Sequence, residues 1–225
     1  MARLILVPSP IGNLEDITLR AIRILKESDL ILAEDTRNSS LLLKHLGITK
    51  PLRSYHAHNE HQQLTDLVSS IQTHQITALL SDAGTPGISD PGFLLVRHCI
   101  QQNIPVECLP GPTAFVPALI NSGLPCNEFS FYGFLPQKKG RKSKWEQLKT
   151  ESKTIVLYES PFRILKLVQE IIENFGAESE VSVSRELTKI HEETIRGKAS
   201  EVYQTLQQKN QIKGEIVVII KPIRP

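Results

Sequence analysis

Ser81-Asp82-Ala83-Gly84-Thr85-Pro86-Gly87-Ile88-Ser89-Asp90-Pro91-Gly92 joins an apolar run, Ile76 to Leu80, to a helical pattern, Phe93 to Gln102. Three glycines, two prolines, two aspartates and two serines are more than a turn needs. Glycine lets the backbone approach a ligand or take positive φ. Proline fixes the path between such points. The run before the loop reads as a buried strand. A loop of this composition at the carboxyl end of a parallel strand is where open α/β sheets bind ligands. Long connections without secondary structure in compact domains are usually functional.

The same arrangement recurs on either side. Leu4 to Val7 is continuously apolar, as expected of a strand buried on both faces, and runs into Pro8-Ser9-Pro10-Ile11-Gly12-Asn13-Leu14. One glycine there excludes a G-x-G-x-x-G dinucleotide fingerprint. Asp16 is placed to cap the next helix, whose apolar face carries Ile17, Ala21, Ile24 and Leu25. Leu30 to Ala33 is a short strand ending in Glu34-Asp35-Thr36-Arg37. Capping by Asp35 or Thr36 accounts for one of these polar residues, not all four. A helix carrying Leu41, Leu42, Leu43 and Leu46 ends at Gly47. Leu52 to Tyr55 is a strand, and Leu64, Leu67, Val68 and Ile71 mark an amphipathic helix. Val106 to Leu109 enters a third rigid loop, Pro110-Gly111-Pro112-Thr113-Ala114. Strand–helix alternation with special loops after the first, fourth and fifth strands predicts a parallel sheet whose strand ends converge on one cleft.

The pattern changes near Gly123 to Asn127, and the expected division is residues 1–118 and 119–225. Phe129 to Phe134 is a strand with interleaved aromatics. Five basic residues follow within seven positions, Lys138, Lys139, Arg141, Lys142 and Lys144, with no acid among them. Such a block reads as a solvated charge run or as a phosphate-contacting loop. Thr154 to Tyr158 is a strand ending in Glu159-Ser160-Pro161-Phe162-Arg163, and Pro161 suits a first helical turn. Strands at Glu180 to Ser184, Glu193 to Arg196 and Ile216 to Lys221, with few helices, predict a mixed sheet with helices on one side.

Composition narrows the class. With 225 residues, 40% hydrophobic and 22% charged, the chain has the make-up of a soluble globular protein of one or two domains. A net charge of +2 gives no global field for nucleic acid, so any such binding rests on local patches. Cys99, Cys108 and Cys126 cannot all pair, which favours a reducing compartment over a disulfide framework. The apolar run after Arg3 is too short for a signal-peptide core, and no stretch approaches a membrane span. The expected location is the cytoplasm. His56, His58 and His61 with Glu60 invite a metal reading, but no H-E-x-x-H spacing or cysteine supports it, and no metal is expected.

Pro8 to Leu14, Ala33-Glu34-Asp35-Thr36-Arg37, the loop Ser81 to Gly92, Leu109-Pro110-Gly111-Pro112, Gly133-Phe134-Leu135-Pro136 and Tyr158-Glu159-Ser160-Pro161 occur in this order. Together they resemble, over essentially the whole chain, the ribosomal small-subunit RNA methyltransferase branch of the tetrapyrrole methylase-like superfamily. The resemblance implies two α/β domains, a mainly parallel N-terminal sheet and a mixed C-terminal one, with a donor cleft between them. It implies S-adenosylmethionine as methyl donor, a homodimer, and 2′-O-methylation of a cytidine in the decoding region of 16S rRNA within the 30S subunit. Most of the superfamily carries a glycine-rich first loop. Here Pro8, Ser9 and Pro10 replace most of those glycines, which favours RNA over porphyrin or corrin substrates.

Methyl transfer from a sulfonium needs in-line approach, and orientation supplies much of the rate. Within the loops that the resemblance marks, Ile11, Asp82, Gly84, Thr85, Thr113, Ala114 and Tyr158 are the candidate donor contacts, with Glu215 a further one. A ribose hydroxyl needs a base or a strong hydrogen-bond acceptor. Glu34 and Asp35 are the candidates, with Asp90 and Glu159 behind them and Arg37 to orient a carboxylate or hold a phosphate. Lys138, Lys139, Arg141, Lys142, Arg185 and Lys189 are candidate RNA contacts. Tyr55, Tyr132 and Phe134 are aromatic candidates for stacking on bases, set against core packing. The competing readings are a tetrapyrrole methyltransferase, a non-catalytic ribosome-binding module and, last, a metal-dependent hydrolase.

Overall fold

The computed structural model describes residues 2–55 and 60–222, with the helical backbone alone for 60–63. The chain divides into two compact units, Met1–Thr113 and Ala114–Pro225.

The first unit is a five-stranded sheet of β1 (Arg3–Val7), β2 (Leu30–Ala33), β3 (Leu52–Ser54), β4 (Ile76–Leu80) and β5 (Val106–Cys108), in the order β3-β2-β4-β1-β5. Every pairing in it is parallel. Successive side chains of a strand point to opposite faces, and β1 shows this directly. Leu4 and Leu6 pack with Leu64, Leu67, Val68 and Ile71 of α3 (Glu60–Gln72) and Leu95 and Cys99 of α4 (Phe93–Gln101). Ile5 and Val7 pack with Ala21, Ile24 and Leu25 of α1 (Leu19–Glu27) and Leu43 of α2 (Thr36–His45). Both faces are therefore covered, which is why these strands read as unbroken apolar runs. The N-cap of α1 is Thr18, whose hydroxyl accepts from the Ala21 N–H at 3.0 Å; the expected cap, Asp16, lies instead in a short 3-10 turn.

The topology explains why loops rather than strands carry the site. The neighbours β1 and β4 send their chains to opposite sides. α1 leads from β1 over one face to β2, and α4 leads from β4 over the other face to β5. Two neighbouring strands whose following helices diverge in this way leave a crevice beyond their carboxyl ends. The loop Ser81 to Gly92 begins there.

The second unit is a mixed sheet of β6 (Phe129–Phe134), β7 (Thr154–Glu159), β8 (Glu180–Arg185), β9 (Glu193–Lys198) and β10 (Ile216–Lys221), in the order β6-β7-β10-β8-β9. Only β6 and β7 are parallel. One face packs on α6 (Arg141–Lys149), α7 (Ile164–Phe175) and α8 (Ala199–Gln207) through Trp145, Leu148, Leu167, Val168, Ile171, Val202 and Leu206. The opposite face is not bare. α5 (Phe115–Ser122) packs against β8, β9 and β10. Arg196, opposite Ser182 in register, donates to the Asn121 carbonyl of α5. Helices thus lie on both sides of this sheet, against the expectation of one. α7 begins at Ile164, after a turn that contains Pro161, rather than at the proline itself.

Candidate functional site

Three loops of the first unit leave adjacent strand ends and are stitched together. Ser9 donates its N–H to the Gly84 carbonyl at 2.9 Å, and Gly84 donates back to the Ser9 carbonyl at 3.0 Å. The Ser9 hydroxyl donates to the Ser81 carbonyl and the Ser81 hydroxyl to the Gly84 carbonyl, each at 3.0 Å. Both serines are buried, so each bond satisfies groups that water cannot reach. From the third loop, the Pro112 carbonyl accepts from the Thr85 hydroxyl at 3.0 Å, and the Thr113 hydroxyl lies 2.7 Å from that of Thr85. With the Thr85 proton on Pro112, Thr113 donates to Thr85 and keeps its own lone pairs as acceptors.

Gly84 is required by its backbone conformation and Gly111 by space. Gly84 sits at φ +83°, and a Cβ on it would lie 3.4 Å from Ile11 Cγ2 and 3.6 Å from the Pro112 carbonyl oxygen. A Cβ on Gly111 would lie 2.6 Å from Pro8 Cβ, a contact that cannot form without moving one loop. The structure thus brings Ile11, Gly84, Thr85 and Thr113 into one cluster. Ser9, Ser81 and Pro112, absent from the expected residues, hold it together. Their only sequence signal is position, at or just beyond the end of a buried strand.

β2 contributes the next edge. The Asp35 N–H donates to Asp82 Oδ1 at 3.2 Å, which ties Asp82 to this strand end. Asp35 is the N-cap of α2: its carboxylate accepts from the Arg37 N–H at 2.8 Å and from the Arg37 guanidinium at 3.0 and 2.6 Å. These bonds from Arg37 lower the Asp35 carboxyl to about 2 and raise the Arg37 guanidinium. A carboxylate so held is a weak base. Glu34 lies beyond β2, half-buried, beside this pair. Tyr55 is 1% exposed and belongs to the core with Leu4 and Leu67, so it cannot stack on a base. His56 and His58 lie outside the described residues, as does the side chain of His61. Among the described residues no group of three histidine, cysteine or acidic side chains is arranged to hold a metal.

Ala114, Tyr158, Glu215 and the expected RNA contacts belong to the second unit. There β6, β7 and β8 run in one direction, so their carboxyl ends and the start of β10 share one end of the sheet. Ala114 directly precedes α5. Tyr158 packs edge-on against Phe131 and Phe134, with ring centroids 5.1 and 5.7 Å away. Tyr132 donates its hydroxyl to Glu151 at 2.8 Å beneath the Lys144 ammonium, which lies 4.3 Å from the ring centroid. Glu151 also accepts from Ser130 and from two backbone N–H groups, which lowers its carboxyl to about 2. That leaves Phe134, at 55% exposed, as the open aromatic of the three expected.

Arg141 is a correction. It opens α6 and turns inward: its guanidinium is bidentate on Glu170, at 2.9 and 2.5 Å, and donates to the Pro136 carbonyl at 2.9 Å. It is therefore no part of the exposed basic face that Lys138, Lys139 and Lys142 form. Glu159 is corrected likewise: at 2% exposed it cannot meet a ribose. One of its oxygens accepts from the Ser160 N–H and from Arg163, and the other lies 4.0 Å from Arg141. Arg185 donates to Glu193 at 2.6 Å, and Lys189 bridges Glu186 and Glu215 at 2.9 and 3.1 Å. Glu215 is thus a partner of Lys189. The turn that holds them places Glu186 at φ +51° and Thr188 at φ +65°.

The family model described as Tetrapyrrole (Corrin/Porphyrin) Methylases matches residues 3–203. A protein of Hydrogenobaculum sp. (strain Y04AAS1) named "Ribosomal RNA small subunit methyltransferase I" is 48% identical over 97% of this chain and 95% of its own length. One of the same name from Thermotoga maritima is 44% identical over 98% of each. Among solved structures, a diphthine synthase superposes with a TM-score of 0.75 at 10% identity, covering 97% of this chain and 90% of that one. Uroporphyrin-III C-methyl transferase from Thermus thermophilus, complexed with S-adenyl homocysteine, superposes with a TM-score of 0.67 at 19% identity and covers 96% of each chain. These two likenesses speak for the fold.

Proposed function

The chain belongs to the tetrapyrrole (corrin/porphyrin) methylase family, and from that premise we propose that it transfers a methyl group to a ribose 2′-hydroxyl of a cytidine in the decoding region of 16S rRNA. S-adenosylmethionine is the methyl donor; it supplies an electrophilic methyl carbon on a cationic sulfur. The observation that carries the reading is the stitched loop cluster at the carboxyl ends of β1, β4 and β5. Full-length relatives at 44–48% identity, named for small-subunit rRNA, support the choice of substrate.

The residues of the first unit fit such a donor. The clustered loops offer backbone carbonyl and N–H groups, hydroxyls and an apolar contact, and no cationic side chain that would oppose the sulfonium. Ile11 packs against the ligand, Thr85 and Thr113 hydrogen-bond it, and Gly84 keeps the backbone close. Rigid loops lose little freedom on binding and so orient the donor cheaply. Glu34 is the proposed acceptor for the ribose hydroxyl proton, since Asp35 is committed to Arg37 and to the cap of α2. Lys138, Lys139 and Lys142 hold phosphates. The working form is proposed to be a homodimer acting on the 30S subunit.

The test is transfer of labelled methyl from S-adenosylmethionine into 30S subunits of a strain lacking this protein, followed by mapping of 2′-O-methylation. Label in one decoding-region cytidine is expected. Absence of donor binding by calorimetry together with absence of label overturns the reading.

A further inference from the structure

Phe162 is 93% exposed, and it lies in a hydrogen-bonded turn. Its N–H donates to the Ser160 hydroxyl at 3.2 Å, and the Arg163 N–H donates to the Ser160 carbonyl at 3.0 Å. Arg163 in turn grips the buried carboxylate of Glu159 at 2.8 Å. A large aromatic in water stabilises no core. The braced turn fixes the point from which the ring projects into solvent.

What surrounds Phe162 is set by the sheet. β6 and β7 are parallel neighbours with Phe134 opposite Tyr158, so the segments that follow them leave the same end side by side. One segment carries Phe162. The other carries Lys138, Lys139 and Lys142, which are exposed and have no ion-pair partner among the described residues. Arg141 links the two, bonded to Pro136 and Glu170 and 4.0 Å from Glu159. The cations do not serve the helix they open. Positive charge at a helix N-terminus opposes the macrodipole, and α6 has no acid in its first turn. Charge that is unpaired and locally unfavourable, set beside a braced bare aromatic, complements a polyanion that presents flat apolar faces.

Resting on the RNA methyltransferase reading, we propose that this end of the second unit binds unpaired nucleotides of the substrate RNA, with one base stacked on Phe162 and the flanking phosphates on Lys138, Lys139 and Lys142. Single strands are recognised in this way, by aromatic platforms beside a cationic track, whereas a duplex hides its base faces. Phe162 is then a substrate-positioning residue that sequence reading does not single out.

The test compares anisotropy of a labelled mixed-sequence single-stranded RNA and of the same RNA in duplex. The wild-type protein is expected to prefer the single strand. Phe162→Ala is expected to weaken single-strand binding ~5–100-fold and to leave duplex binding and donor affinity unchanged; Phe162→Trp retains binding. Replacing the three lysines with glutamine lowers the salt dependence of single-strand binding, by about 0.7 in log–log slope per lost phosphate contact. Wild-type affinity in Phe162→Ala, or equal wild-type affinity for duplex and single strand, overturns the proposal. A change in sedimentation of Phe162→Ala that accounts for its RNA defect also overturns it and makes this face a contact between copies. Methyl transfer to 30S subunits by the wild type separates the two failures. Where it persists, only the stacking surface is lost; where it is absent, the function beneath it fails.

Discussion

Removing the Arg141 guanidinium leaves the half-buried Glu170 without its cation and the buried Glu159 with Arg163 alone. Breaking a buried pair from one side costs about 3–5 kcal/mol, because the stranded charge cannot be hydrated. Arg141→Ala should lose stability of that order in urea denaturation. Arg141→Lys should recover only part of it, since an ammonium cannot form the planar two-bond contact with Glu170. A loss near zero would show that water reaches these carboxylates. At this scale the sequence misleads for a simple reason. Arg141 stands among cations, and composition assigns cations to solvent. Its inward turn is encoded with Trp145 and Leu148, four and seven residues on, which are buried on the same helical face. Ser9 and Ser81 are hidden for the opposite reason, since a buried serine bonded to a carbonyl looks like any loop serine.

At the scale of elements, α2 carries the sharpest test of the chemistry. Its cap needs an acceptor at position 35, not a charge. Asp35→Asn should keep the cap and most of the stability, whereas Asp35→Ala should lower the urea midpoint. Because Arg37 holds the Asp35 carboxyl near 2, the group stays ionised at any working pH, and its removal should not reshape the pH profile of transfer. Glu34→Gln is expected to reduce turnover ~100-fold or more with donor affinity unchanged; retained turnover would move the proton-accepting role elsewhere. β1, β2 and β4 are legible in the chain because both faces of a parallel sheet are covered and the runs are unbroken. α6 is not, because a helix whose inward stripe begins with arginine has almost no apolar periodicity. The convergence of three loops is legible as an expectation from topology. The hydrogen bonds that join them are not, since they run between residues as far apart in the chain as Ser9 and Gly84.

At the scale of the whole molecule, the described residues of the two units form separate cores and separate sheets. The chain has one tryptophan, Trp145, and it packs edge-on against Phe175 inside the second unit. Its fluorescence therefore reports the unfolding of that unit, while far-ultraviolet circular dichroism reports both. Non-coincident denaturation curves are expected from the two probes. Coincident curves would make the chain a single cooperative body.

The contact of Gly111 with Pro8 limits which substitutions this chain can accept. Positions 8 and 111 lie at the ends of adjacent strands, and the proline ring fills the space where a side chain at 111 would begin. Position 111 cannot take a side chain while the Pro8 ring stands where it is. Gly111→Ala should therefore shift one loop against the other, and a smaller residue at position 8 in the same chain should relieve it. A first loop built on Pro8, Ser9 and Pro10 thus depends on a bare position more than a hundred residues further along the chain.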